Sequence, residues 1–177
     1  AALDADPAHA MDTVEAHYNP IVTALSTLSV PVVVGIGGAC VGAGLGIALA
    51  GDIRVVGARA SFATAFTGIG LASDSGLSHA LVHALGPSRA SGLMLLGDKF
   101  DAQSALEWGL VHRVVADEDV AAEARVLARR LADGPTAAFA HVKSLIRAVA
   151  PGLSQTLAAE ANAQVELGST ADHRGAV

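Results

Sequence analysis

Between Leu28 and Gly97 the only charged residues are Asp52, Arg54, Arg59, Asp74 and Arg89. A stretch this long and this poor in charge has to lie at the centre of a fold, because little in it gains from contact with water. It begins with Pro31-Val32-Val33-Val34-Gly35-Ile36, a continuous β-branched run. Such a run suits a strand covered on both faces, as in a parallel sheet. A glycine-dense segment to Gly46 follows, then a short helix over about Gly44–Ala50. Asp52–Val56 and Ser61–Phe66 read as further strands, and Ser75–Leu85 and Ser88–Leu96 as helices. The charged residues collect in the flanks, which read as amphipathic helices.

Upstream, His9–Leu28 is predicted helical, with Val14, Ile21, Leu25 and Leu28 near one face and Pro20 as a kink. Downstream, Asp101 is placed to cap a helix over Ala102–Trp108, with Gly109 as its stop. Leu110–Val115 returns as a strand. Helices follow over Asp119–Ala132, Thr136–Val149 and Leu153–Leu167, and Ser169 or Thr170 would cap a fourth. Strands with interleaved helices and then a helical tail predict an α/β core with a helical C-terminal region.

Composition narrows the function. Of 177 residues, 52% are hydrophobic and 16% charged, which excludes a disordered chain. The net charge of −6 and 3% aromatics disfavour nucleic acid as a partner. The uncharged run Val30–Ala50 is nominally long enough to span a membrane, but Pro31 and its many glycines make it a poor spanner. The first residues, Ala1-Ala2-Leu3-Asp4-Ala5-Asp6, lack the basic lead of a secretion signal. Cys40 is the single cysteine, so no internal disulfide or multi-cysteine metal site is expected and a reducing compartment fits.

Two features can carry chemistry. In Gly35–Gly46, backbone amides at a strand-to-helix turn can face an anion or a developing oxyanion. A dinucleotide fingerprint, an oxyanion hole and close strand–helix packing all fit the glycines. The fingerprint fits worst, since Cys40 stands where its third glycine belongs and Asp52 begins a strand rather than ending one. The second feature is Asp74, the lone charge between Arg59 and Arg89. It reads either as a helix N-cap, accepting from the amides of Gly76 or Leu77, or as a general acid/base at an apolar wall. Other sites read as structure. His79 and His83 lack the glutamate of a zinc motif, and no metal site is expected. Asp52 and Arg54 read as a strand-end ion pair or turn and Cys40 as a small core residue, while Lys143, on an otherwise apolar helix, could reach a phosphate but reads by default as a solvated lysine.

The segment Pro31–Gly44, followed by Gly51-Asp52-Ile53-Arg54 and Ala60-Ser61-Phe62, resembles the core signature of the crotonase superfamily, the enoyl-CoA hydratases and isomerases. Gly68–Leu71, Leu95–Ala102 and Ala105–Val111 agree, so the resemblance runs along nearly the whole chain. Tyr18-Asn19-Pro20, Ala65-Phe66-Thr67 and Asp74-Ser75-Gly76 look most like the 1,2-epoxyphenylacetyl-CoA isomerase branch.

The resemblance implies a ββα spiral core over residues 1–115 and a helical trimerisation region over 116–177. It also implies that the family's first strands, a second oxyanion amide and much of the CoA-adenine pocket lie upstream of Ala1. The ligand it implies is an acyl-CoA thioester, with no cofactor beyond the CoA of the substrate. A homotrimer or dimer of trimers, free of nucleic acid and membrane, and a cytoplasmic location go with it. Ala43 would supply an oxyanion amide, and Cys40, Gly42, Gly44, Phe66 and Leu71 would line the substrate site. Family hydratases use two glutamates, at positions that here are Gly46 and Phe66, whereas Asp74 falls where isomerase members place an acidic residue. The expected function is therefore acyl-CoA isomerisation with Asp74 as the base. A hydratase and a non-catalytic acyl-CoA-binding member stand as alternatives.

Overall fold

The computed structural model describes residues 12–148 and, beyond them, Asn162, Glu166, Leu167, Thr170, Ala171 and Gly175. The helices expected over Leu153–Leu167 and from Ser169 onward lie largely outside the described residues. Two compact units are present. One comprises residues 1–28 and 32–126, and the other comprises 29–31 and 127–177.

The first unit is built from repeated strand–strand–helix turns. Strand β1 (Val33–Ile36) is followed by β2 (Ala39–Val41) and helix α2 (Ala43–Leu49). Strands β3 (Ile53–Gly57) and β4 (Ser61–Ala63) repeat the pattern and lead to α3 (Leu77–Leu96). Then come β5 (Phe100–Asp101), α4 (Ala102–Glu107) and β6 (Arg113–Val115). Strand β3 pairs in parallel with β1, Val33 opposite Ile53, and with β6, Val55 opposite Arg113. In a second sheet β4 pairs in parallel with β2, Cys40 opposite Phe62, and antiparallel with β5. From the first ββα turn to the second, each sheet advances by one parallel strand, and β5 and β6, separated by α4, then extend the two sheets, which is the spiral expected from the resemblance.

Burial explains this order. Val55 and Val56, successive residues that face opposite sides of the central strand β3, are both fully buried, so β3 is covered on both faces. In β1, where the continuous apolar run predicts such cover, only Ile36 is buried and Gly35 is exposed. Phe62 stacks on Phe100 at 5.2 Å between ring centres, Phe100 meets Trp108 at 5.1 Å, and Arg89 lies 4.9 Å over the Trp108 ring. The few aromatics are therefore concentrated beside β4, where each buried side chain stabilises the fold by about 1.5–3 kcal/mol.

Several expected elements shift for local reasons. The strand predicted over Ser61–Phe66 ends at Ala63, because Ala65 is left-handed at φ 62°. The helix predicted from Ser75 starts at Leu77, because Ser75 and Gly76 have φ of 51° and 70°. The two helices predicted over 75–96 run together as α3 but break at Gly86 (φ 74°, ψ 165°), just before Pro87. Residues Val14–Tyr18 form a π-helical turn leading into α1 (Asn19–Thr27), which places Pro20 in a first turn where no amide hydrogen is needed. Asp101 caps α4 as expected, its Oδ1 accepting from the Ser104 amide at 2.8 Å, and Gly109 follows at φ 76°.

Asp52 and Arg54 tie backbone segments together. The Asp52 carboxylate accepts from the Val32 amide at 2.7 Å. The Arg54 guanidinium donates to the Gly51 and Leu110 carbonyls, each at 2.7 Å. His79 and His83 are exposed and meet edge to face at 4.3 Å. Among the described residues no group of three or more His, Cys, Asp or Glu could hold a metal ion, and no helix is long and apolar enough to cross a membrane.

In the second unit, α5 (Val120–Ala132) contributes its C-terminal half and α6 (Thr136–Arg147) follows the Gly134 turn. The reading of Lys143 as solvated is overturned. Its side chain is 7% exposed and donates to the Val30 carbonyl at 2.8 Å, a contact that gives a buried ammonium the acceptor it needs.

Candidate active site

The site begins where β2 turns into α2. Gly42 has φ 57° and ψ −127°, a conformation open to glycine and closed to residues with a Cβ. Its amide donates to the Ala63 carbonyl at 3.0 Å, and its carbonyl accepts from Leu45 and Gly46. Ala43 and Gly44 therefore open the helix, where amides have no intrahelical acceptor, and no side chain caps them. Ala43 is half-buried and Gly44 is exposed, and a Cβ at Gly44 would meet nothing within 4 Å. This is a place where a ligand can reach the backbone and where the helix terminus favours negative charge.

Around this turn the other predicted residues take different places. The Phe66 ring lies 3.6 Å from where a Cβ on Gly42 would be, so it walls this glycine turn on one side. The Phe66 carbonyl accepts from the amides of Ile69 and Leu71, closing a short loop whose end, Leu71, is 50% exposed. Cys40 and Gly44 open onto a groove of about 710 Å³ that also draws on Leu25, Val33, Val41 and Ile47. Phe66, Leu71 and Asp74 are outside that groove's lining. Cys40 itself is 7% exposed, with Sγ 3.5 Å from the Gly44 carbonyl oxygen, and burial pushes its thiol up to about 11. It is a packing residue under the glycine turn.

Asp74 does not cap α3. Residues Asp74–Leu77 form a turn in which the Leu77 amide donates to the Asp74 carbonyl at 3.0 Å. Both central residues, Ser75 and Gly76, have positive φ, as in a type I′ turn. The helix start is thereby displaced to Leu77, with Gly76 at the cap position and no side-chain cap hydrogen bond. Oδ1 of Asp74 is buried and has no hydrogen-bond partner, and the same holds for Oγ of Ser75. A Cβ on Gly46 would lie 2.6 Å from the Ser75 carbonyl oxygen and 3.1 Å from the Ser75 Cβ. The turn therefore rests directly on α2, one helical turn beyond Ala43. On its other side, a Cβ on Gly76 would meet Val22 of α1 at 3.4 Å.

The sequence reading missed this packing of Ser75 on Gly46. The Ser-Gly dipeptide is a turn marker and was the available sign that the helix begins later.

The comparisons with known proteins bear on the family and the fold. Residues 3–177 match the family described as Enoyl-CoA hydratase/isomerase. The chain is 39% identical over 166 residues to the 1,2-epoxyphenylacetyl-CoA isomerase of Escherichia coli (strain K12), covering 93% of this chain and 63% of that protein. A solved enoyl-CoA hydratase/isomerase structure from Mycobacterium abscessus superposes with a TM-score of 0.94 at 59% identity, covering 99% of this chain and 68% of that one. A solved enoyl-CoA hydratase from Polaromonas sp. JS666 superposes with a TM-score of 0.86 at 33% identity, covering 92% of this chain and 63% of that one. The chain thus spans just under two thirds of the length of the E. coli relative. Sequence signature, ββα spiral and neighbours all agree: the chain belongs to the enoyl-CoA hydratase/isomerase family of the crotonase superfamily.

Proposed function

We propose that the protein is an acyl-CoA isomerase that moves a proton along an acyl chain or ring while the thioester is held as an enolate. The observation that carries this reading is a single buried carboxylate oxygen, Oδ1 of Asp74, left without a partner on a turn that packs against the oxyanion helix. The positions where family hydratases carry glutamates hold Gly46 and Phe66, and neither can move a proton. Relatives named an isomerase and a probable hydratase stand at 39% and 40% identity, so the choice between the two rests on these residues.

Asp74 takes a proton from the carbon that is to lose it, and the electrons of that C–H bond move into the thioester carbonyl. The oxygen becomes an enolate and accepts from the Ala43 amide, where the start of α2 stabilises its charge. When the enolate collapses, the protonated Asp74 returns the proton to a different carbon. The carboxylate is regenerated and nothing is oxidised or reduced. Phe66 and Leu71 present apolar surface to the acyl group, and Gly42 and Gly44 let the thioester approach the backbone. The reading carries with it an acyl-CoA thioester from fatty-acid or phenylacetate-type catabolism and no cofactor beyond its CoA. It also carries a homotrimer or dimer of trimers in the cytoplasm.

Replacing Asp74 by Asn tests it. Loss of a positioned general base lowers turnover by about 10²–10⁴-fold. The expected result is a fall of that order in isomerisation, with a CoA thioester still raising the melting temperature of the variant. Unchanged isomerisation would remove Asp74 from the mechanism. Thermal protection by the thioester with no turnover in the wild-type protein would favour a non-catalytic binding member.

A further inference from the structure

We infer that Gly46 and Ser75 are a positioning pair, which holds the Asp74 carboxyl in place and limits the site to one carboxylate. The inference rests on the isomerase reading and concerns what makes it possible.

Three observations converge. A Cβ on Gly46 would lie 2.6 Å from the backbone oxygen of Ser75, so any side chain at 46 must displace main chain rather than a flexible group. Ser75 holds φ 51°, a conformation costly for a residue with a Cβ, while only 2% exposed. Its Oγ is buried without a partner, a further cost in the folded state. A turn that carries both costs is retained because its neighbours hold it there, and strain of this kind gathers at functional sites.

The contact joins the two halves of the chemistry. Gly46 lies three residues after Ala43 on α2, and Ser75 directly follows Asp74. The backbone packing at Gly46 therefore sets how far the base stands from the oxyanion amide. It also explains the missing hydratase carboxylate in steric terms, because the space a side chain at 46 would enter is filled by the Ser75 main chain.

A purely structural role for the contact would change the melting temperature and leave the kcat of the folded variant untouched, whereas positioning lowers kcat. For Gly46→Ala the expected outcome is an isomerisation kcat at least 10-fold lower with KM within about 3-fold of wild type, because the base moves while the thioester contacts remain. Gly92→Ala is the control, since a Cβ there meets nothing within 4 Å, and it keeps kcat. Ser75→Gly adopts the positive φ without cost and so guards against a folding failure in Gly46→Ala. It loosens the turn and is expected to lower kcat about 5-fold or more with little change in melting temperature.

Wild-type kcat in either variant overturns the pairing, as does a change confined to KM. A folded Gly46→Glu variant that hydrates a 2-enoyl-CoA overturns the steric exclusion. If Asp74→Asn is inactive while Gly46→Ala and Ser75→Gly are fully active, the positioning inference alone fails. If Asp74→Asn is active, the isomerase reading fails first.

Discussion

Asp74 shows what a residue's surroundings in the chain can and cannot reveal. Its isolation among apolar neighbours is written in the sequence, and it marks the residue as one to explain. Whether it caps a helix depends on the φ of Ser75 and Gly76, which a packing contact 29 positions upstream, at Gly46, holds in place. Lys143 is a second case. Its acceptor is the Val30 carbonyl, 113 residues away, and no local pattern announces such a contact. Asp101 is the opposite case, since its acceptor role is settled within three residues and is legible.

Cys40 supports a pH prediction at the same scale. Burial raises its thiol from 9.0 to about 11, so the folded state keeps a proton that the unfolded chain gives up first. Stability from this residue is fully present below about pH 9 and is lost as pH rises toward 11. Melting temperatures measured from pH 8 to 11 should fall more steeply for wild type than for Cys40→Ala. Parallel curves would contradict the burial argument.

Among elements, the longer ones follow from periodicity and punctuation, and the short ones do not. Strand β2 is three residues, Ala39-Cys40-Val41, flanked by glycines, and its existence depends on pairing with β4. No alternation develops over three residues, so the sequence shows only a glycine-rich turn there. The break in α3 is legible from Gly86-Pro87, because proline excludes the helical conformation at the residue before it. At φ 74° and ψ 165°, Gly86 holds a conformation that residues with a Cβ avoid, and a Cβ there meets nothing within 4 Å. Gly86→Ala should therefore destabilise through the backbone alone, by about 1–3 kcal/mol, read from chemical denaturation. An unchanged midpoint would mean that the break can be redrawn without strain.

In the molecule as a whole, the ββα spiral brings Gly46 and Ser75, which are distant in the chain, into direct contact. Gly42–Ala43 join the second strand of the first turn to its helix, and Phe66 and Asp74 lie between the strands and the helix of the second. The family signature made this architecture legible, because its glycines and its Asp-Ile-Arg and Ser-Phe steps fall at fixed places along the chain. The close fit between α2 and the Asp74 turn was not legible, because it exists only once both turns are stacked.

In the proposed mechanism one carboxylate relays a proton and no second one delivers water. Product analysis on a 3-enoyl-CoA tests it most directly, with chromatography resolving 2-enoyl-CoA from 3-hydroxyacyl-CoA. The expected result is conversion to the 2-enoyl thioester with no 3-hydroxyacyl-CoA accumulating, and loss of that conversion in Asp74→Asn. Steady formation of 3-hydroxyacyl-CoA by the wild-type protein would contradict it.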